Sequence, residues 1–60
     1  MEEWYVYRAT EGEKSYIETS WFALPTRECI DGKTVNRVPL GTVYADREAE
    51  AATIAKRLFE

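Results

Sequence analysis

Leu40-Gly41-Thr42-Val43-Tyr44-Ala45-Asp46, running on into Arg47 to Phe59, decides the fold of this chain. It reads as the end of a strand, a sharp exit and a capped amphipathic helix. Ala51, Ile54, Ala55 and Leu58 fall at i, i+3, i+4 and i+7, one apolar stripe that a helix turns toward a sheet. Asp46 stands where an N-cap carboxylate accepts from the free amides of the first turn. Asp46, Glu48 and Glu50 at the start and Lys56 and Arg57 at the end complement the helix macrodipole. The spacing predicts a helix over about 47–59.

Working back from that helix, the segments before it read as strands. Trp4, Tyr5, Val6 and Tyr7 lie in a β-branched and aromatic run from Glu3 to Thr10. Glu11-Gly12-Glu13-Lys14 supplies a polar turn, and a second strand runs from Ser15 to about Leu24, ended by Pro25. Asp31-Gly32 is the strongest two-residue hairpin signal, because both positions tolerate positive φ. It joins Arg27–Ile30 to Lys33–Arg37. Pro39 lacks an N–H, so Val38 to Tyr44 either continues that strand past a bulge or forms a short edge segment. The expected fold is α+β: a three-stranded, or four-stranded, antiparallel sheet over about residues 3–44, packed against one C-terminal helix, in a single domain of residues 1–60.

Alternation gives each strand two faces. Trp4, Val6, Ile17 and Trp21 are assigned to the side under the helix, which puts Tyr5, Tyr7, Tyr16 and Glu18 on the other side. In one hairpin register Glu18 faces Arg8 as an exposed ion pair.

Composition narrows the function. Sixty residues make a small core, so the two Trp, four Tyr and two Phe are needed first for packing. The chain has no histidine and a single cysteine, Cys29, beside Glu28 rather than a cation. That removes the usual Ser-His and Cys-His nucleophile pairs, a disulfide and a structural zinc. The three glycines form no phosphate-binding pattern. The expectation is a protein with no enzymatic activity, no cofactor and no metal. The longest apolar run, Trp21-Phe22-Ala23-Leu24, is far too short to span a bilayer. The acidic start and the lone cysteine predict a cytoplasmic location. The formal net charge of −3 concentrates in the first third, leaving a mildly basic middle.

The aromatic content is the compositional feature that points to binding. Tyr5, Tyr7 and Tyr16, with Glu18, would form a rigid amphipathic surface for a protein partner, and the edge near Pro39 offers a second surface. The leading expectation is a protein-binding regulator or inhibitor with an unidentified protein partner. A homodimer that pairs edge strands is a further expectation.

Arg37-Val38-Pro39-Leu40-Gly41-Thr42, followed by Asp46 and the Glu/Ala-rich helix start, carries a resemblance. In these residues the chain resembles the ethylene-response-factor DNA-binding domains of plants. It is also similar to the arm-site-binding N-terminal domains of phage-type tyrosine integrases. The resemblance implies three strands backed by one helix, a sheet that reads duplex DNA in the major groove, and contacts from Arg8, Lys14, Trp21, Arg27, Lys33 and Arg37.

Overall fold

The computed structural model describes all 60 residues. Four strands, β1 (Glu2–Glu11), β2 (Lys14–Ser20), β3 (Arg27–Ile30) and β4 (Lys33–Ala45), precede one helix, α1 (Glu48–Phe59). The strands form one antiparallel sheet in the order β2-β1-β4-β3. The α+β class is as expected, with the fourth strand present. The Asp31-Gly32 turn has positive φ at both positions, 50° and 76°, as a tight β3–β4 hairpin requires. Of the two readings of Pro39, the continuous strand is correct: β4 runs from Lys33 to Ala45 with an irregularity. Val6 pairs with Gly41 and Tyr7 with Pro39, so Leu40 is the extra residue of a bulge.

That bulge divides the sheet into two halves. In the first half Trp4, Val6, Val43 and Ala45 form a buried cluster with Ala51 and Ala55 of α1, edged by Ile17, Leu40, Ile54 and Phe59. The Trp4 indole donates to the Ala45 carbonyl at 3.0 Å, so its only polar atom is satisfied inside the cluster. A 12-residue helix is about 18 Å long, whereas the molecule extends 35 Å along its longest axis. The helix therefore covers only part of its face. It ends over Arg8, which donates to the Phe59 carbonyl at 2.9 Å, and over Gly41, where an added Cβ would lie 3.2 Å from the Phe59 ring.

In the second half the opposite face, here the back face, is closed. Tyr7, Ala9, Val35 and Arg37 are all buried there. Their cover is the connection Trp21–Thr26, which leaves β2 at one edge of the sheet and enters β3 at the other. Three interstrand spacings are about 14 Å, and six residues reach on the order of 20 Å. The connection is therefore long enough to cross the sheet as a strap.

Several expectations need correction. The second strand stops at Ser20, because Phe22 N–H bonds back to Ser20 Oγ at 3.2 Å and turns the chain onto the back face. Trp21 consequently lies outside the helix-side core, 68% exposed, with its ring edge-on to Phe22 at 5.0 Å. Tyr7 is not an exposed ring but a buried one beneath the strap. The N-cap is Arg47, without a side-chain bond, and Asp46 lies 3.6 Å from the Met1 amine instead. Leu58 is 65% exposed, and Phe59 takes the last position of the stripe, packed on the core with its ring over Gly41, where there is no side chain to keep it off the sheet.

Candidate functional site

The sequence-predicted residues are distributed over three places. Around Arg37 the structure builds a polar interior. Arg37 Nε donates to Glu18 Oε1 at 2.7 Å, and Nη1 donates to Glu28 Oε1 at 2.8 Å and to the Pro25 carbonyl at 3.1 Å. Its side chain is only 4% exposed. Ala9, the cross-strand partner of Arg37, has no bulk to block the guanidinium on its way across β1 to Glu18. The Arg37 pKa is raised, chiefly by the Glu18 hydrogen bond, opposed by desolvation and reinforced by Glu28. The guanidinium stays charged throughout the pH range in which proteins fold.

This interior is architectural. A strap of irregular backbone on a sheet face has N–H and C=O groups that need partners. Leu24 N–H donates to the Tyr7 hydroxyl at 3.0 Å, the Pro25 carbonyl accepts from Arg37 Nη1, and the Thr26 carbonyl accepts from Arg37 N–H at 2.7 Å. No buried side-chain N or O atom is left without a partner. Glu18, expected as a free contact residue or as the partner of Arg8, is one carboxylate of this cluster. In the actual register Arg8 faces Ile17 while Glu18 faces Tyr7, so Arg8 and Glu18 point to opposite faces.

The six residues implied by the DNA-binding resemblance do not share a surface. Arg37 is buried on the back face and Arg8 is engaged at the helix C-terminus on the other face. Lys14 and Lys33 are exposed beside the two hairpin turns, Lys33 at 3.8 Å from Glu11, and Arg27 is exposed on the edge strand β3. Trp21 is exposed in the strap. An open groove between the hairpin turns is lined by Glu11, Glu13, Lys14 and Lys33. Opposite, solvated charges of this kind define no ligand. Cys29 is exposed and unpaired. No three Cys, Asp or Glu side chains gather as a metal-binding group, and no helix is long and apolar enough to cross a membrane.

The feature that remains is an open sheet edge. β4 pairs with β1 over Asn36 to Ala45 but with β3 only over Lys33 to Asn36. Beyond the bond from Arg37 N–H to Thr26, no backbone bond reaches the outer side of Val38–Ala45. In a strand of L-residues the face of a side chain fixes the side to which its own N–H and C=O point. Arg37 lies on the back face and points outward to β3. Pro39, Thr42 and Tyr44, also on the back face, therefore point their peptide groups outward as well. Pro39 has no N–H to offer, and the bulge distorts Leu40 and Gly41, so the lower part of this edge is blunted. Thr42 and Tyr44 are left with two free donors and two free acceptors.

The back face at this end is also uncovered. Tyr44 is 58% exposed and Tyr5, on the adjacent strand, 38%. Trp21 and Phe22 follow Ser20, the register partner of Tyr5, and stand at the border of the same end. Tyr16 is exposed but sits on β2 opposite Ala9, in the strap-covered half. Of the expected contact residues, the structure thus keeps Tyr5 at the open end and adds Tyr44, Thr42 and Phe22. Val38–Tyr44 already carried the signal for this edge, since a long strand beside a four-residue partner has an unpaired remainder. No family model, curated protein or solved structure matches the chain.

Proposed function

We propose that this protein is a small, non-enzymatic binding module that takes an extended segment of a protein partner as an added strand along the outer edge of β4, at Thr42 and Tyr44. The observation that carries this reading is the unpaired edge of β4 beyond its short partner β3. Strand addition is a general mode of peptide recognition in which main-chain bonds supply affinity and alternate side chains supply specificity. A module of this kind regulates or inhibits by occupying a strand that its partner needs elsewhere.

Magnitudes indicate what else must contribute. Four backbone hydrogen bonds at about 1 kcal/mol net each correspond to a dissociation constant on the order of millimolar. Tighter binding comes from the exposed rings of Tyr44, Tyr5 and Phe22 on the adjoining back face, since tyrosine offers contact area at small entropic cost. The five cations implied by the DNA-binding resemblance, Arg8, Lys14, Arg27, Lys33 and Arg37, do not share one surface, and this favours the protein-binding reading over recognition of a duplex.

The test is amide hydrogen exchange on the free protein and on the complex captured from the source cell. The Thr42 and Tyr44 amides exchange fast when free and slow down on binding, while Val43, whose amide points to β1, is protected in both states. Thr42→Pro removes an outward donor without removing a bond to β1, so it abolishes capture while the thermal midpoint moves by only a few degrees. Capture unaffected by Thr42→Pro, with protection appearing at another edge, would rule the reading out.

A further inference from the structure

Resting on the strand-addition reading, we infer that the added strand is cationic, an extended segment alternating Arg or Lys with apolar residues, and that its basic side chain packs on Tyr44 beside the Glu3 carboxylate. In a strand paired to β4, residues opposite Thr42 and Tyr44 place their side chains on the back face. That row already contains Tyr44 and its register partner Glu3. The Tyr44 hydroxyl donates to Glu3 Oε2 at 3.4 Å, so a cation packed on the exposed ring has a carboxylate within reach. A guanidinium or ammonium gains from both, through the ring face and through the charge.

The distribution of ion pairs points to the same chemistry. Glu18 and Glu28 are paired with Arg37, Glu11 with Lys33, and Asp46 with the Met1 amine. Glu2, Glu3, Glu48 and Glu50, all exposed around the open end of β4, have no ion-pair partner. The edge residues Val38–Ala45 themselves carry no charge. Arg47 and the Met1 amine are the cations at this end, against the five carboxylates of Glu2, Glu3, Asp46, Glu48 and Glu50; in the other half Arg37 is buried, Arg8 caps the helix end, and Lys33 pairs with Glu11. The open edge therefore lies in a negative field that draws in a basic strand and disfavours an acidic one. A second copy of this chain, with its own net charge of −3, brings the wrong sign to this end.

Three capped heptapeptides test this: Val-Arg-Val-Arg-Val-Arg-Val and the counterparts with Thr or Glu in the arginine places. Each is titrated to millimolar concentration against the full chain while exchange of the Thr42 and Tyr44 amides is followed. The arginine peptide is expected to protect both amides, the threonine peptide to bind more weakly and the glutamate peptide not at all. Glu3→Gln weakens the arginine peptide about threefold, the size of one exposed ion pair, and leaves the threonine peptide unchanged. Glu3→Lys narrows or reverses the preference. Equal protection by the threonine or glutamate peptide overturns the cationic inference and leaves strand addition standing. Failure of all three peptides to protect Thr42 and Tyr44 overturns both. Protection that rises with protein concentration without peptide, together with a dimer in sedimentation, makes the occupant a second copy and likewise overturns the inference.

Discussion

The two halves of the sheet are each closed on one face, and they are closed by different physics. Under α1, Trp4, Val6, Val43, Ala45, Ala51 and Ala55 meet with no charged group among them. A helix satisfies its own backbone, so all it needs from the sheet is apolar contact. Under the strap, Tyr7, Ala9 and Val35 share the interior with Arg37, which is held by Glu18, Glu28 and the Pro25 carbonyl. A strap has no internal ladder, so its cover must be anchored by donors and acceptors from below. The nature of the cover, rather than the need for burial, decides whether a core in this molecule is apolar or polar.

The largest expected effect breaks the polar half. Arg37→Met leaves Glu18 and Glu28 without their cation and the Pro25 carbonyl without its side-chain donor. The cost is about 3 kcal/mol, toward the lower end for a buried pair because both carboxylates remain partly exposed. Urea denaturation will show a largely unfolded protein at 25 °C, since so small a domain has little stability to lose. Adding Glu18→Leu and Glu28→Leu to that variant should restore part of the loss, because what hurts is the unpaired charge.

Next comes the apolar half. Val6, fully buried, becomes a cavity as Val6→Ala at a cost of about 2 kcal/mol. If calorimetry gives it a larger loss than Arg37→Met, the polar half is an accessory and the comparison fails. Tyr7→Phe is smaller, about 1 kcal/mol for a lost acceptor. Its signature is local: the Leu24 amide exchanges faster while the Ala51 and Ala55 amides do not change. Faster exchange throughout α1 would show that the halves open together. Leu58→Ser lies within about 0.5 kcal/mol of the parent in the same assay, because Leu58 faces water despite its place in the helical stripe.

This contrast also separates what the residues disclosed from what they concealed. The helix, the Asp31-Gly32 hairpin and the placement of Trp4, Val6 and Ile17 under α1 follow from periodicity and turn chemistry, which act locally. Arg37 is different: in one dimension a buried cation looks like any surface charge, and its carboxylates come from strands on opposite edges. Trp21 and Phe22 read as the continuation of a strand because their composition favours one. Only the demand that the chain cross from β2 to β3 bends them off the sheet. The unpaired remainder of β4 was half-visible at Pro39, but locating it at Thr42 and Tyr44 required the phase change at Leu40, which no propensity signals. Asp46 illustrates a competing partner, since its carboxylate lies beside the Met1 amine rather than on the helix amides.

The strand order has a consequence for how the chain reaches this state. The β1–β2 and β3–β4 hairpins close over short loops, on the order of microseconds for such elements. The central ladder joins Glu2 to Ala45, residues from distant parts of the chain, and must wait for a large loop to close. The strap cannot be anchored until that ladder exists, because Glu18 and Arg37 arrive from different hairpins. Joining the two hairpins therefore carries the largest loop-closure cost, and the Arg37 cluster latches a meeting that has already occurred.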